Sequence, residues 1–142
     1  MRRERGLAVV AFVAALAVTG CGGGGGPSDQ EKIKTTLTTY YEAFATGDSP
    51  TACDQLAKDT VEALEKQAKG RTCPQVLDDA LRRPGYASVA QRLRRATITK
   101  VTIAGDKATV SIDVPGVPAR AKRVPVLLKK EGDAWKITNA PR

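Results

Sequence analysis

ITKVTIAGDKATVSIDV, residues 98–114, is the stretch of this 142-residue chain that decides its fold. Apolar and polar residues alternate on both sides of Gly105 and Asp106, and this period of two is typical of strands with one buried face. The Gly-Asp pair lies where a tight turn would join two such strands. The residues expected on the buried face of the second strand are Ala108, Val110, Ile112 and Val114. The stretch therefore predicts an antiparallel hairpin.

Two further strands are predicted downstream of this hairpin. Apolar residues alternate over 124–128, where Pro125 indicates a sheet edge or a bulge because proline has no N–H to donate. The turn at 131–133 leads into a fourth strand, which places Trp135 and Ile137 on one face. Four consecutive strands joined in this way predict an antiparallel meander.

A long amphipathic helix is predicted upstream of the strands. Ser28 and Glu31 have the spacing of a capping box, in which each side chain accepts a hydrogen bond from the other residue's backbone N–H. Gly47 is placed to end this helix. The apolar stripe between these signals consists of Ile33, Leu37, Tyr40, Tyr41 and Phe44. Since the two tyrosines are adjacent, we expect only one of them to face the core, by packing or by lining a pocket.

Shorter helices are predicted between the long helix and the strands. Ser-Pro at 49–50 is a helix start, Asp59 with Glu62 offers a second capping box, and Thr72 offers a further cap. Residues 85–95 are ambiguous, and a short helix is the one element that they suggest. Three or four helices followed by a meander indicate an α+β fold over 28–142, with the N-terminal helices packed on a sheet of about four strands.

The first twenty residues have the character of an export signal. Three arginines within Met1–Arg5 precede the uncharged run Leu7–Val18, which is shorter than the about 20 apolar residues that a membrane-spanning helix needs. A buried core helix is the alternative, but a five-glycine run follows and nothing in the segment is amphipathic. We therefore predict a signal peptide over residues 1–20.

The segment Val18-Thr19-Gly20-Cys21 indicates which kind of export signal this is. This segment resembles the lipobox of bacterial lipoproteins, with valine at the position where leucine is usual. The resemblance implies cleavage between Gly20 and Cys21, lipid on the Cys21 sulfur, and attachment to the extracytoplasmic face of the cell membrane. Residues 21–27 are then a lipidated, glycine-rich tether.

The cysteine count agrees with this interpretation. The chain has three cysteines, and an odd number in an exported protein leaves one to explain. If Cys21 carries lipid, Cys53 and Cys73 remain as a pair in an oxidising compartment, where disulfides form and persist. The alternative for Cys53 and Cys73 is two buried free thiols.

Three segments carry a resemblance to a known superfamily: YYEAFATGD at 40–48, ITKVTIAGDKATVSI at 98–112 and KKEGDAWKI at 129–137. Together they resemble a nuclear transport factor 2-like domain, and more closely the small actinobacterial lipoproteins that carry one. The resemblance covers most of 30–138. It implies a curved sheet wrapped around the long helix as a cone with a pocket, and it implies no reaction, because this fold hosts enzymes, binding modules and scaffolds.

The chain offers little for catalysis. Enzymes of this superfamily that isomerise or dehydrate small molecules use Asp or His in the cone with Tyr to polarise a carbonyl, and this chain has no histidine. Each candidate carboxylate is interpreted as a solvated charge or a cap; these are Asp54, Asp78, Asp79, Asp106, Asp113 and Asp133. No metal-ligand spacing and no phosphate loop is present, so neither a metal nor a cofactor is predicted.

The net charge of +8 raises the question of an anionic partner. Basic residues crowd two regions: Arg82, Arg83, Arg92, Arg94, Arg95 and Lys100 in one, and Arg120, Lys122, Arg123, Lys129 and Lys130 in the other. Export and an aromatic content of only 4% argue against nucleic acid. Anionic lipid headgroups are the nearest abundant partners of a tethered domain. A solvated surface without a partner is the alternative.

Three functions are consistent with these patterns. The first is a cell-envelope binding or interaction module that holds an apolar small ligand or an envelope protein. The second is a small-molecule isomerase or dehydratase, which is the weaker hypothesis. The third is a structural accessory domain without a ligand.

Overall fold

The computed structural model describes residues 25–120 and 125–138. Within these ranges the chain forms helices and then strands: α1 Asp29–Thr46, α2 Ser49–Asp54, α3 Lys58–Gln67, α4 Cys73–Leu81, α5 Tyr86–Arg94, β1 Thr97–Ala104, β2 Lys107–Asp113, β3 Val126–Glu131 and β4 Ala134–Ile137. The predicted signal peptide, Gly20, Cys21 and the first part of the tether lie outside the described residues.

The strands form one antiparallel sheet in the order β1-β2-β3-β4, which confirms the predicted meander. Ala108 is in register with Leu128, and Leu128 with Ile137, so one buried row crosses three strands. The edge or bulge predicted at Pro125 is wrong, because Pro125 precedes β3 and β3 pairs on both sides. The irregularity lies instead in β1, between Ile98 and Lys100.

The ends of α1 are set by local chemistry, as predicted. The Ser28 N–H donates to Glu31 Oε2 at 2.7 Å, and the Glu31 N–H donates to Ser28 Oγ at 3.3 Å, which completes the capping box. Gly47 ends the helix with φ 80°, a left-handed conformation that favours glycine. The helix therefore spans the range that its sequence signals indicate.

The start of α3 differs from the prediction. Asp59 does not cap this helix; Ala57 holds the N-cap position in an extended conformation. The reason is tertiary, since the Ala57 N–H donates to the Ile137 carbonyl oxygen at 2.8 Å and a carboxylate from another element, Glu131, accepts from the Lys58 N–H at 3.1 Å. The predicted second capping box is therefore wrong.

The ambiguous residues 85–95 form α5. Ala90 and Leu93 bury the inner face of this helix, with 1% and 5% exposure. The Gln91 side chain donates to the Ala45 carbonyl oxygen at 3.1 Å, which fixes α5 against the C-terminal half of α1. The described residues thus hold five helices, and the fifth is the short helix that the ambiguous segment suggested.

The core lies between α1 and the inner face of the sheet. Tyr40 and Tyr41 are both buried, with 3% and 4% exposure, so the prediction that only one faces the core is wrong. The reason is that α1 is covered on several sides, by β4, α2 and α5. Cys53 of α2 and Cys73 of α4 form a disulfide, which confirms the predicted pair.

Candidate functional site

The concave face of the sheet is filled rather than open. Its inward side chains are all at least nine-tenths buried in one cluster with the apolar residues of α1; they are Ala108, Val110, Ile112, Val126, Leu128, Trp135 and Ile137. The Thr36 hydroxyl of α1 donates to the Trp135 carbonyl oxygen at 3.0 Å and ties the helix to β4. The open spaces of the described residues lie along the helices instead.

An opening of about 590 Å³ lies between α1, α3, α4 and the start of α5, and we call it the helical crevice. Its apolar lining consists of Tyr40, Phe44, Leu56, Ala63, Leu64, Val76, Leu77, Ala80 and Tyr86. A site that binds a small molecule is usually a concave, mostly apolar space of about 300–1,000 Å³ with a few polar groups. The helical crevice has this size and this character.

The inner end of the helical crevice is aromatic. Tyr40 and Phe44, one helical turn apart on α1, have nearly parallel rings with centroids 6.0 Å apart and an angle of 4° between them. Tyr41 meets Tyr40 edge to face, with ring centroids 5.7 Å apart. Aromatic faces at the base of an apolar space favour a flat or hydrocarbon ligand.

The mouth of the crevice is polar. Of its two charged side chains, Asp59 has an ion-pair partner and Arg83 has none among the described residues. Asp59 accepts a hydrogen bond from Lys129 Nζ at 2.7 Å, and this contact holds the pKa of the Asp59 carboxyl below its usual value. The Thr60 hydroxyl donates to the Thr138 carbonyl oxygen at 3.2 Å. Arg83 also lines the mouth and has no ion-pair partner among the described residues.

A second, polar groove of about 500 Å³ lies between α1 and the start of β1. Threonines line it, and the ion pair between Arg94 Nε and Glu42 Oε2, at 2.6 Å, lies at its wall. Tyr41 also lines this groove, but its hydroxyl is buried and has no hydrogen-bond partner within the described ranges.

Neither buried tyrosine is suited to act as a base. Burial raises the pKa of Tyr40 to about 12 and raises the pKa of Tyr41 further. Both phenols therefore keep their protons at neutral pH.

The candidate carboxylates do not assemble a catalytic group. Asp54, Asp106, Asp113 and Asp133 are exposed, and Asp79 pairs with Arg71 and with Arg82. A general base needs a pKa near the working pH. The one carboxylate that lines the helical crevice, Asp59, has its pKa shifted in the opposite direction.

Asp78 is the candidate carboxylate whose predicted position is wrong. It was expected on a helix surface, but it is half-buried and accepts a hydrogen bond from the hydroxyl of Ser49, which is 1% exposed. This bond connects α2 with α4 beside the disulfide. No sequence signal identifies such a pair, because the two residues lie 29 positions apart.

Part of the basic charge of these two regions is neutralised within the fold. Lys129 pairs with Asp59 and Glu131, Lys130 pairs with Asp29, and Arg94 pairs with Glu42. Lys122 and Arg123, from the second predicted cluster, lie outside the described residues. The two basic regions are therefore less positive than their sequence suggests.

The described part of the chain holds neither a grouped metal site nor a membrane-spanning helix. Within 25–120 and 125–138, no three Asp, Glu, Cys or His side chains are grouped so that they could hold a metal ion. In the same ranges, no helix combines the length and the apolar character needed to cross a membrane.

A curved antiparallel sheet packed with helices defines the class of this protein, an α+β domain with a nuclear transport factor 2-like fold. Residues 28–141 match the model of the family described as "Putative lumazine-binding", and the chain belongs to that family. No curated protein and no solved structure matches the chain.

Proposed function

We propose that this protein is a binding module that holds a small apolar or aromatic ligand in the helical crevice. The observation that carries the proposal is the crevice itself, about 590 Å³ in volume with apolar walls and stacked aromatic rings at its inner end. The family description points the same way, since lumazine is a flat fused-ring molecule. Such a molecule suits aromatic and aliphatic walls with few polar groups.

We further propose that the module is exported and held at the extracytoplasmic face of the cell membrane by lipid on Cys21. The arginine-rich start, the short apolar run and the lipobox-like segment support this location. A coil of about six glycine-like residues reaches roughly 13 Å, so the tether keeps the domain close to the bilayer. An anionic lipid or an envelope protein is then a further available partner.

Mass spectrometry of the protein isolated from its native membrane tests the anchor. We expect a mature N-terminus at Cys21 that carries a diacylglyceryl group, and we expect Cys21→Ala to leave the membrane fraction. Ser28→Ala, which leaves the lipobox intact, is the matched control and should stay membrane-bound. An unmodified Cys21 still joined to Gly20 would contradict the anchor.

Filling the helical crevice should weaken ligand binding. Ala80 lines the crevice from α4, so the phenyl ring of Ala80→Phe would occupy the space of the ligand. We expect the neutral fluorescent probe N-phenyl-1-naphthylamine to bind this variant about tenfold more weakly than the wild type, a loss of about 1.4 kcal/mol. Ala87→Phe, on the exposed side of α5, is the control and should bind the probe normally. Equal affinities for both variants would exclude the crevice as the binding site.

The structural accessory domain is a second candidate because the concave face of the sheet is filled. This second hypothesis predicts that neither N-phenyl-1-naphthylamine nor lumazine binds the wild type. No observation favours an isomerase or a dehydratase, since Asp59 is held ionised by Lys129 and the described carboxylates do not face a tyrosine hydroxyl in hydrogen-bond contact.

A further inference from the structure

We propose that the ligand of the helical crevice is an organic anion, whose charged group binds the Arg83 guanidinium at the crevice mouth. This inference rests on the proposed function and specifies the chemical class of the ligand. It follows from the unequal neutralisation of the two charged side chains that line the crevice.

Asp59, the negatively charged side chain at the mouth, is already paired with a cation of the fold. Asp59 Oδ2 lies 2.7 Å from Lys129 Nζ, and that ammonium also lies 3.3 Å from Glu131 Oε1. Lys129 is thus fully engaged by two carboxylates, and Asp59 has a permanent cation beside it. An incoming ligand therefore meets no isolated negative charge at this position.

The positive charge at the mouth has no such partner. Arg83 makes no side-chain ion pair or hydrogen bond with the described residues. Its neighbour Arg82 differs, because Arg82 Nη1 lies 3.9 Å from an Asp79 carboxylate oxygen. No carboxylate residue occurs between Ala80 and Gly105, so the adjacent chain cannot supply one.

The backbone holds Arg83 in place between two helices. Its N–H donates to the Ala80 carbonyl oxygen at 3.1 Å, and its own carbonyl oxygen accepts from the Tyr86 N–H at 3.2 Å. Ala80 and Tyr86 both line the crevice, so the residue between them is fixed at its border. The side chain is exposed and remains accessible to a ligand.

An arginine in this position selects for an anionic group. The guanidinium presents a planar fork of N–H donors that matches two oxygens of a carboxylate, sulfonate or phosphate. An anion bound there could place an apolar body among Leu64, Leu77 and Phe44. The ligand class is therefore an amphiphilic acid with an aromatic or aliphatic body.

A pair of related probes tests this inference on the full chain. 8-Anilino-1-naphthalenesulfonate carries a sulfonate, and N-phenyl-1-naphthylamine has the same ring system without it. We expect the anionic probe to bind the wild type about fivefold more tightly, as a partly exposed ion pair contributes up to about 1 kcal/mol. Arg83→Gln should remove this preference and leave the neutral probe unaffected, which also shows that the variant is folded.

Arg82→Gln is the matched control, because it removes an adjacent cation that does not line the crevice. It should keep the preference for the anionic probe. If both probes bind the wild type equally and Arg83→Gln changes neither affinity, the anionic class is wrong and the crevice remains a binding site. If neither probe binds the wild type, the proposed function fails as well.

Discussion

Replacing Cys53 and Cys73 together with alanine should lower the free energy of unfolding by about 3 kcal/mol. The bond joins residues 20 positions apart, and a cross-link of that length removes many conformations from the unfolded chain. Alanine is the appropriate replacement because both side chains lie in the apolar core, with 8% and 1% exposure, where a serine hydroxyl would need a partner.

Loss of the disulfide should also affect the helical crevice, and not only the stability of the whole domain. The disulfide links α2 to α4, and α4 forms one wall of the helical crevice. The hydrogen bond from Ser49 to Asp78 joins the same two helices and remains in the variant. We therefore expect a folded but less stable domain whose affinity for a crevice ligand is reduced.

Urea denaturation followed by circular dichroism measures this effect. Reduced wild type should unfold at the same urea concentration as the double alanine variant, and oxidised wild type at a higher one. If the oxidised and reduced wild types unfold together, the cross-link does not stabilise the fold.

Replacing Trp135 with alanine should cost about 3–5 kcal/mol of unfolding free energy. Trp135 is 1% exposed and lies where β4 packs on α1, so its loss leaves a cavity in the centre of the core. The replacement also removes the ring that lies 5.8 Å from the Lys130 ammonium. That cation is held in turn by Asp29, at the first turn of α1.

Trp135→Phe tests how much of this loss comes from the size of the cavity. It keeps a ring in the core but leaves part of the volume of the buried indole empty. We therefore expect it to be less destabilising than Trp135→Ala when thermal unfolding is followed by circular dichroism. Equal losses for the two variants would mean that the size of the side chain is not what stabilises this position.

The elements that local chemistry defines were predictable. The capping box of Ser28 and Glu31 acts over three residues, and the Gly105-Asp106 turn acts over two, so both can be identified without knowing the rest of the fold. The alternation over 107–113 likewise predicts which side chains of β2 are buried. These signals were sufficient to predict the α+β class and the order of the strands.

The features that depend on distant contacts were not predictable. Lys58 begins α3 because its N–H meets Glu131, which lies 73 positions away. Tyr41 is buried beside Tyr40 because several elements cover α1, which the period of a single helix does not show. The helical crevice is formed by the relative placement of four helices, so its lining could not be identified from any one of them.

The contact of residues 55–57 with β4 has a consequence for self-association. The Ile137 N–H donates to the Gln55 carbonyl oxygen at 2.9 Å, and the Ile137 carbonyl oxygen accepts from the Ala57 N–H, so the chain covers the outer side of its own terminal strand. An uncovered strand edge is a template on which a second molecule can add a strand and start an aggregate. Of the two sheet edges in the described part of the chain, β1 has an irregular register and carries Lys100, both of which oppose such addition. The fold thus protects itself at both edges against polymerisation through its sheet.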